Sequence, residues 1–140
     1  MCSTFKFKNC VGRNFDYEIS YKEQIIQIPK HQYYNMYDIV GVVSGITEDF
    51  PLMYDGMNEK GVSIGILELE TPPTFQQTEK KDITTSAIIR EVLDHAATTE
   101  EAIEIFKQYD MHDFLGINCT YHYQVSDASG DTAIIEYVNG

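Results

Sequence analysis

The sequence predicts an α+β fold in which two helices pack on a largely antiparallel sheet. Three observations carry that expectation. Apolar runs with strand-like patterning dominate the first two-thirds of the chain, two helical stripes follow, and a strand pair around a tight turn closes it. No internal repeat, low-complexity stretch or linker interrupts the 140 residues, so residues 1–140 read as one domain.

The elements follow in order. "STFKF" alternates, with Phe5 and Phe7 on one face and Lys6 on the other. "VGRNFDY" can form a second strand hairpinned to the first, with Asn9 to Gly12 near the turn. "QIIQIP" is a short β-branched run ended by Pro29, and "YDIVGVVSG" is a further apolar run. "MNEKG" reads as a tight turn, with Gly61 supplying the special backbone angle. Val62 to Leu69 is nearly continuously apolar, as expected of a strand covered on both faces. Gly65 within it suggests close approach by another backbone.

The polar, proline-containing "TPPTFQQTEKKD" reads as a loop. A helix follows, with Ile88, Ile89, Val92, Leu93 and Ala96 on one stripe. Thr98 and Glu101 have capping-box spacing and open a second helix, whose stripe is Ala102, Ile105, Phe106 and Tyr109. "TYHYQVSDASGDTAIIEYV" reads as a hairpin turning at Asp127 to Gly130, where Gly130 suits a left-handed position.

Charge and composition exclude several function classes. The 22 acidic against 10 basic residues give a net charge of −12. Nucleic acid and anionic membranes need a cationic surface, so neither is expected as a partner. The first ten residues are too polar for a signal peptide, and no apolar run approaches membrane-spanning length. A cytoplasmic protein acting on a small molecule is expected, as a homo-oligomer. Three cysteines form no disulfide framework and no CxxC pair. His31, His95, His112 and His122 show no metal-ligand spacing, so neither metal nor cofactor is expected.

The chemistry-bearing residues lie at the start. Cys2 is small enough for Met1 to be removed, which would leave a thiol and a free α-amino group on one residue. A thiol titrates near about 8.5 and an α-amino group near about 7.7–8.0, so the amine can take the thiol proton near neutral pH. A cation such as Arg13 would favour the thiolate. Asp16 could orient the amine as the third member of a triad. The competing reading is an ordinary second residue beside a surface ion pair of Arg13 and Asp16. Cys10 allows a further one, a redox sensor pairing it with Cys2.

Cys2, the "GRNFDYE" run, the "YDGMNEKG" run before an apolar strand and the "VSDASGDTAIIEY" run together resemble the cholylglycine hydrolase family. That family of N-terminal-nucleophile hydrolases includes bile salt hydrolases and penicillin V acylases. The resemblance covers essentially the whole chain. It implies an αββα sandwich, hydrolysis of a linear amide in a small N-acyl substrate, and the roles of nucleophile, arginine and aspartate for Cys2, Arg13 and Asp16. Aligned through "YDGMNEKG", Glu68 stands where bile salt hydrolases carry an oxyanion-stabilising asparagine. An ionised glutamate cannot donate to an oxyanion. Related amidases of the ceramidase type look similar in carrying a glutamate there. Glu68 is accordingly assigned to the oxyanion or substrate region, against the alternative of a strand-end residue facing water. The chain is expected to be the N-terminal portion of a longer sandwich, lacking a later asparagine and arginine of the family and of little activity alone. A ligand-binding or interaction module of the same fold is the alternative. The substrate stays open between bile salts, phenoxyacyl β-lactams, N-acyl homoserine lactones and other N-acyl amides.

Overall fold

The computed structural model describes residues 2–8, 10–14, 23–32, 35–44, 52–69, 78–112 and 120–137. Strands β1 (Ser3–Phe7) and β2 (Cys10–Asn14) form an antiparallel hairpin with Thr4 opposite Arg13 and Phe5 opposite Gly12. Gly12 therefore lies within the strand rather than at the turn. The Phe5 ring covers it, and a Cβ there would sit only 2.2 Å from that ring. The turn itself falls at Lys8, whose φ of 52° is the left-handed conformation a tight hairpin requires.

Strands β3 (Gln24–Ile28), β4 (Ile39–Ser44), β5 (Leu52–Asn58), β6 (Ser63–Leu69), β9 (Thr120–Ser126) and β10 (Thr132–Glu136) build a six-stranded sheet in the order β10-β9-β6-β5-β4-β3. Every neighbouring pair in it is antiparallel. The turns at Gly61 (φ 83°) and Gly130 (φ 106°) are left-handed, as expected.

Helices α1 (Ala87–His95) and α2 (Thr99–Phe106) cover one face of this sheet. Ile88, Ile89, Val92, Leu93, Ala102 and Phe106 pack there on Val62, Ile64, Ile66, Tyr123 and Val125. The β1–β2 hairpin lies on the opposite face, so β6 is buried on both sides, as its apolar run predicts. Thr98 Oγ1 accepts from Glu101 N at 3.1 Å. The Glu101 carboxylate reaches Ala97 N at 2.6 Å, so the capping box is displaced by one residue.

Three strands depart from the sequence expectation. β5 runs on through Met57 and Asn58, the first two residues of the "MNEKG" run read as a turn; pairing with β4 carries the strand to Asn58. Lys81 and Asp82 belong to β7 (Lys81–Thr84) rather than to the loop, and Tyr109 belongs to β8 (Tyr109–His112) rather than to the α2 stripe. β7 and β8 pair in parallel as a separate two-stranded sheet. Buried Asp110 on β8 accepts from Thr78 N at 2.6 Å and Thr78 Oγ1 at 2.7 Å, which holds the two segments together. Among the described residues no helix is long and apolar enough to cross a membrane.

Asn58 joins sheet to helix. Its buried amide donates to Leu93 O at 3.0 Å and Ala96 O at 2.7 Å, satisfying carbonyls at the end of α1. Its Oδ1 accepts from Val62 N at 3.1 Å across the turn. Asn58→Ala would leave several buried polar groups without partners, at about 1–3 kcal/mol each. The urea midpoint should fall by the equivalent of about 3 kcal/mol with the m-value unchanged; an unaltered midpoint would show that water replaces the amide at no cost.

Candidate active site

The hairpin is seated by polar ties. On β1, the Thr4 hydroxyl donates to Gln124 Oε1 of β9. Lys6 Nζ donates to the carbonyls of Gly130 and, at 3.0 Å, Asp131 in the β9–β10 turn. On β2, Arg13 Nη1 donates to the Tyr54 carbonyl and to Asp55 Oδ2 on β5, both at 2.9 Å. The two layers are in register. Thr4 faces Arg13 across the hairpin, while Gln124, Gly65 and Asp55 face one another across β9, β6 and β5. Thr4 thus bonds one end of that row and Arg13 the other.

Local structure makes room for the guanidinium. β5 and β6 pair from Met57 and Ser63 to Asp55 and Gly65, while β6 alone continues alongside β9. Arg13 enters where the strands part. At Gly65 a Cβ would stand 3.3 Å from Arg13 Nη1 and 3.4 Å from its Cδ. The close approach predicted for Gly65 is therefore real, but the approaching group is the Arg13 side chain, not a backbone. Tyr54 is the extra residue of a bulge, since Asp55 pairs with Val42 while Met53 pairs with Val43. A bulge re-aims the backbone of the extra residue, and the Tyr54 carbonyl is the one that accepts from Arg13.

The residues singled out in the sequence are placed as follows. Cys2 is half-buried directly ahead of β1, and the burial alternation of Thr4 and Lys6 extends to it. Arg13 occupies the strand paired with β1, its side chain only 10% exposed. Asp16 lies outside the described residues. Glu68 is exposed opposite Tyr121, and strand alternation puts it on the helix-covered face with Ile64 and Ile66. The structure thus brings Cys2 and Arg13 to one face of the hairpin and leaves Glu68 on the other side of the sheet. Cys10 sits opposite Phe7, five residues along β1 from Cys2. Such a stretch of strand spans about 17 Å, far beyond disulfide reach, so the Cys2–Cys10 redox reading does not fit the hairpin. His122 has a structural partner in Glu136 Oε1 at 3.0 Å. Asp55 is a functional candidate that local sequence does not mark; its one signal is its place in the "YDGMNEKG" run.

A cavity of about 370 Å³ adjoins the Arg13–Asp55 pair, with Ile25, Val40 and Met57 on its apolar side. Burial pushes the Asp55 carboxyl above its ordinary 3.8, by more than the charge and hydrogen bond of Arg13 pull it down.

The sheet, the helix layer and the N-terminal hairpin are the α+β architecture of the N-terminal-nucleophile bile acid hydrolases. The chain belongs to the linear amide C–N hydrolases, choloylglycine hydrolase family, whose model matches residues 1–140. It is 36% identical over 98 residues to a penicillin V acylase of Pectobacterium atrosepticum, covering 61% of this chain and 25% of the relative. Over 115 residues it is 32% identical to a bile salt hydrolase/transferase of Lactiplantibacillus plantarum, covering 72% of this chain and 35% of that one. The crystal structure of a variant of conjugated bile acid hydrolase from Clostridium perfringens superimposes with a TM-score of 0.77 at 28% identity, over 91% of this chain and 44% of the other. The chain therefore spans less than half the length of these relatives.

The raised carboxyl makes stability pH-dependent in a defined direction. The folded chain keeps a proton on Asp55 in a window above 3.8 where the unfolded chain has released it. That contribution is complete below 3.8 and is lost as pH rises through the folded-state value. Asp55→Asn lacks the titration, so the stability of wild type minus variant should be larger near about pH 3.5 than near about pH 6.5. Urea unfolding of both proteins across that range checks it; a difference that is constant or grows with pH contradicts it.

Proposed function

We propose that this chain carries the nucleophile of an enzyme that hydrolyses a linear amide in a small N-acyl substrate, with Cys2 attacking after removal of Met1. The observation that supports it is the placement of half-buried Cys2 and anchored Arg13 on one face of the same hairpin. Family membership supports the bond class. Relatives named as a penicillin V acylase and a bile salt hydrolase/transferase support an amide whose acyl part varies between enzymes.

In this mechanism the α-amino group of Cys2 takes the thiol proton and the thiolate adds to the amide carbon. The carbon–nitrogen bond then breaks, the amine leaves with the proton returned by the α-ammonium, and the acyl group remains as a thioester on Cys2. Water, deprotonated by the same amine, attacks the thioester and releases the carboxylic acid. The fixed guanidinium of Arg13 favours the thiolate and stabilises negative charge building on the attacked carbonyl oxygen. Asp16 orients the α-amine. Glu68, on the far face of the sheet, takes no part in the attack.

Intact mass after mixing with an N-acyl amide is the test. The protein should lack Met1, show an acyl adduct on Cys2, and lose both adduct and turnover in Cys2→Ala. Cys2→Ser should retain a small fraction of the activity, a hydroxyl being a far weaker nucleophile at neutral pH. Full turnover by Cys2→Ala, or by protein that retains Met1, would overturn the reading.

A further inference from the structure

The "YDG" run at residues 54–56 has no chemical role so far, yet three departures from regular sheet structure converge on it. The bulge places the Tyr54 carbonyl 2.9 Å from Arg13 Nη1. Pairing between β5 and β6 ends at Asp55 and Gly65, where Arg13 enters. Gly65 leaves the volume that the guanidinium fills. Asp55 then supplies the charged contact, at 2.9 Å, from a side chain only 29% exposed.

Stability alone is a poor account of this arrangement. A buried or half-buried ion pair contributes little net stability, because the desolvation of both ions offsets their attraction, and apolar residues of similar volume often serve as well or better. What such a pair does supply is position: a carboxylate and a carbonyl on one strand hold one nitrogen of a planar cation. The held cation is on the strand paired to β1, directly opposite Thr4, and Cys2 precedes Thr4 by two residues.

We infer that Asp55 is a positioning residue: with the Tyr54 carbonyl it fixes the Arg13 guanidinium on the hairpin face that carries Cys2, and thereby sets the reactivity of that thiol. The part concerning Cys2 rests on the proposed nucleophile. Asp55 touches no reacting atom. It acts through Arg13, so removing it has no further effect once Arg13 is gone.

The test measures two things on the full chain. The first is the Arg13 side-chain N–H signals by NMR, which report whether the guanidinium is held. The second is the rate of Cys2 alkylation by iodoacetamide near neutral pH, read by peptide mass spectrometry. Asp55→Ala should average the Arg13 signals and slow Cys2 alkylation by roughly tenfold to a hundredfold, the range expected when a reactive constellation is displaced by about an ångström. Added to Arg13→Leu, the same change should slow it no further. Asp55→Asn keeps the shape and one acceptor oxygen while removing the charge; it should be intermediate, and it serves if the alanine variant does not fold. Gly65→Ala, which crowds the guanidinium without touching Asp55, should slow alkylation in the same sense. Additive losses in the double variant, or Arg13 signals unchanged in both Asp55 variants, would overturn the inference. If Asp55→Ala releases Arg13 while neither it nor Arg13→Leu alters alkylation, Asp55 stands as the anchor of Arg13, and the coupling to Cys2 falls together with the nucleophile reading.

Discussion

A guanidinium placed inside a sheet sandwich is the constraint on which the rest of this structure depends. Arg13 leaves the hairpin, crosses to β5, and ends on the Tyr54 carbonyl and the Asp55 carboxylate. Removing such a cation from water costs several kcal/mol unless charge and hydrogen bonds meet it. Each irregularity nearby is explicable as part of meeting it. The bulge supplies a carbonyl, the parting of β5 from β6 supplies an entrance, and Gly65 supplies volume. The two-layer register follows as well, because Thr4 meets Gln124 only when Arg13 is opposite it and over Gly65 and Asp55.

The same stretch of β5 works on both faces of the sheet. Tyr54 and Asp55 serve the hairpin, whereas Gly56 and Asn58 serve α1. A Cβ on Gly56 would lie 2.8 Å from Leu93 Cδ1 and 2.9 Å from the Val40 carbonyl, so this glycine sets how closely the helix seats. Asn58 then closes the end of that helix. Four residues within the stretch 54–58 thus tie the helix layer to the strand that bears the arginine. A strand fixed from both sides has little freedom to shift, which suits a platform that must hold a charged group in place.

What the sequence made legible was whatever depends on local pattern. The stripe Ile88, Ile89, Val92 and Leu93 is an α1 face because those residues recur with helical spacing, and all four are buried. The hairpin that aligns Arg13 with β1 is readable because its strands are joined by a tight turn. β5, β7 and β8 were missed because their strand character comes from partners distant in sequence. Met57 and Asn58 look like the start of a turn until β4 pairs with them. Tyr109 continues the α2 stripe until β7 pairs with it. The ion pair was out of reach for the same reason: Arg13 and Asp55 stand 42 residues apart, and only sheet order brings them together. For Glu68, sequence alignment indicates a position along a strand, but the face it occupies follows from pairing with β9. Arg13 is paired with Asp55 and held away from solvent, while Asp16, the partner that local sequence suggests, lies outside the described residues.

The central claim is that one anchored guanidinium and the N-terminal thiol share a site. A high-resolution crystal structure of the protein with Met1 removed tests it most directly, through the separation of Cys2 Sγ and the Arg13 guanidinium. The account predicts that they lie within about 4–6 Å, the range in which a cation stabilises a thiolate, with Nη1 still held by Asp55. A sulfur turned to the opposite face of β1, or a guanidinium detached from Asp55, would contradict it.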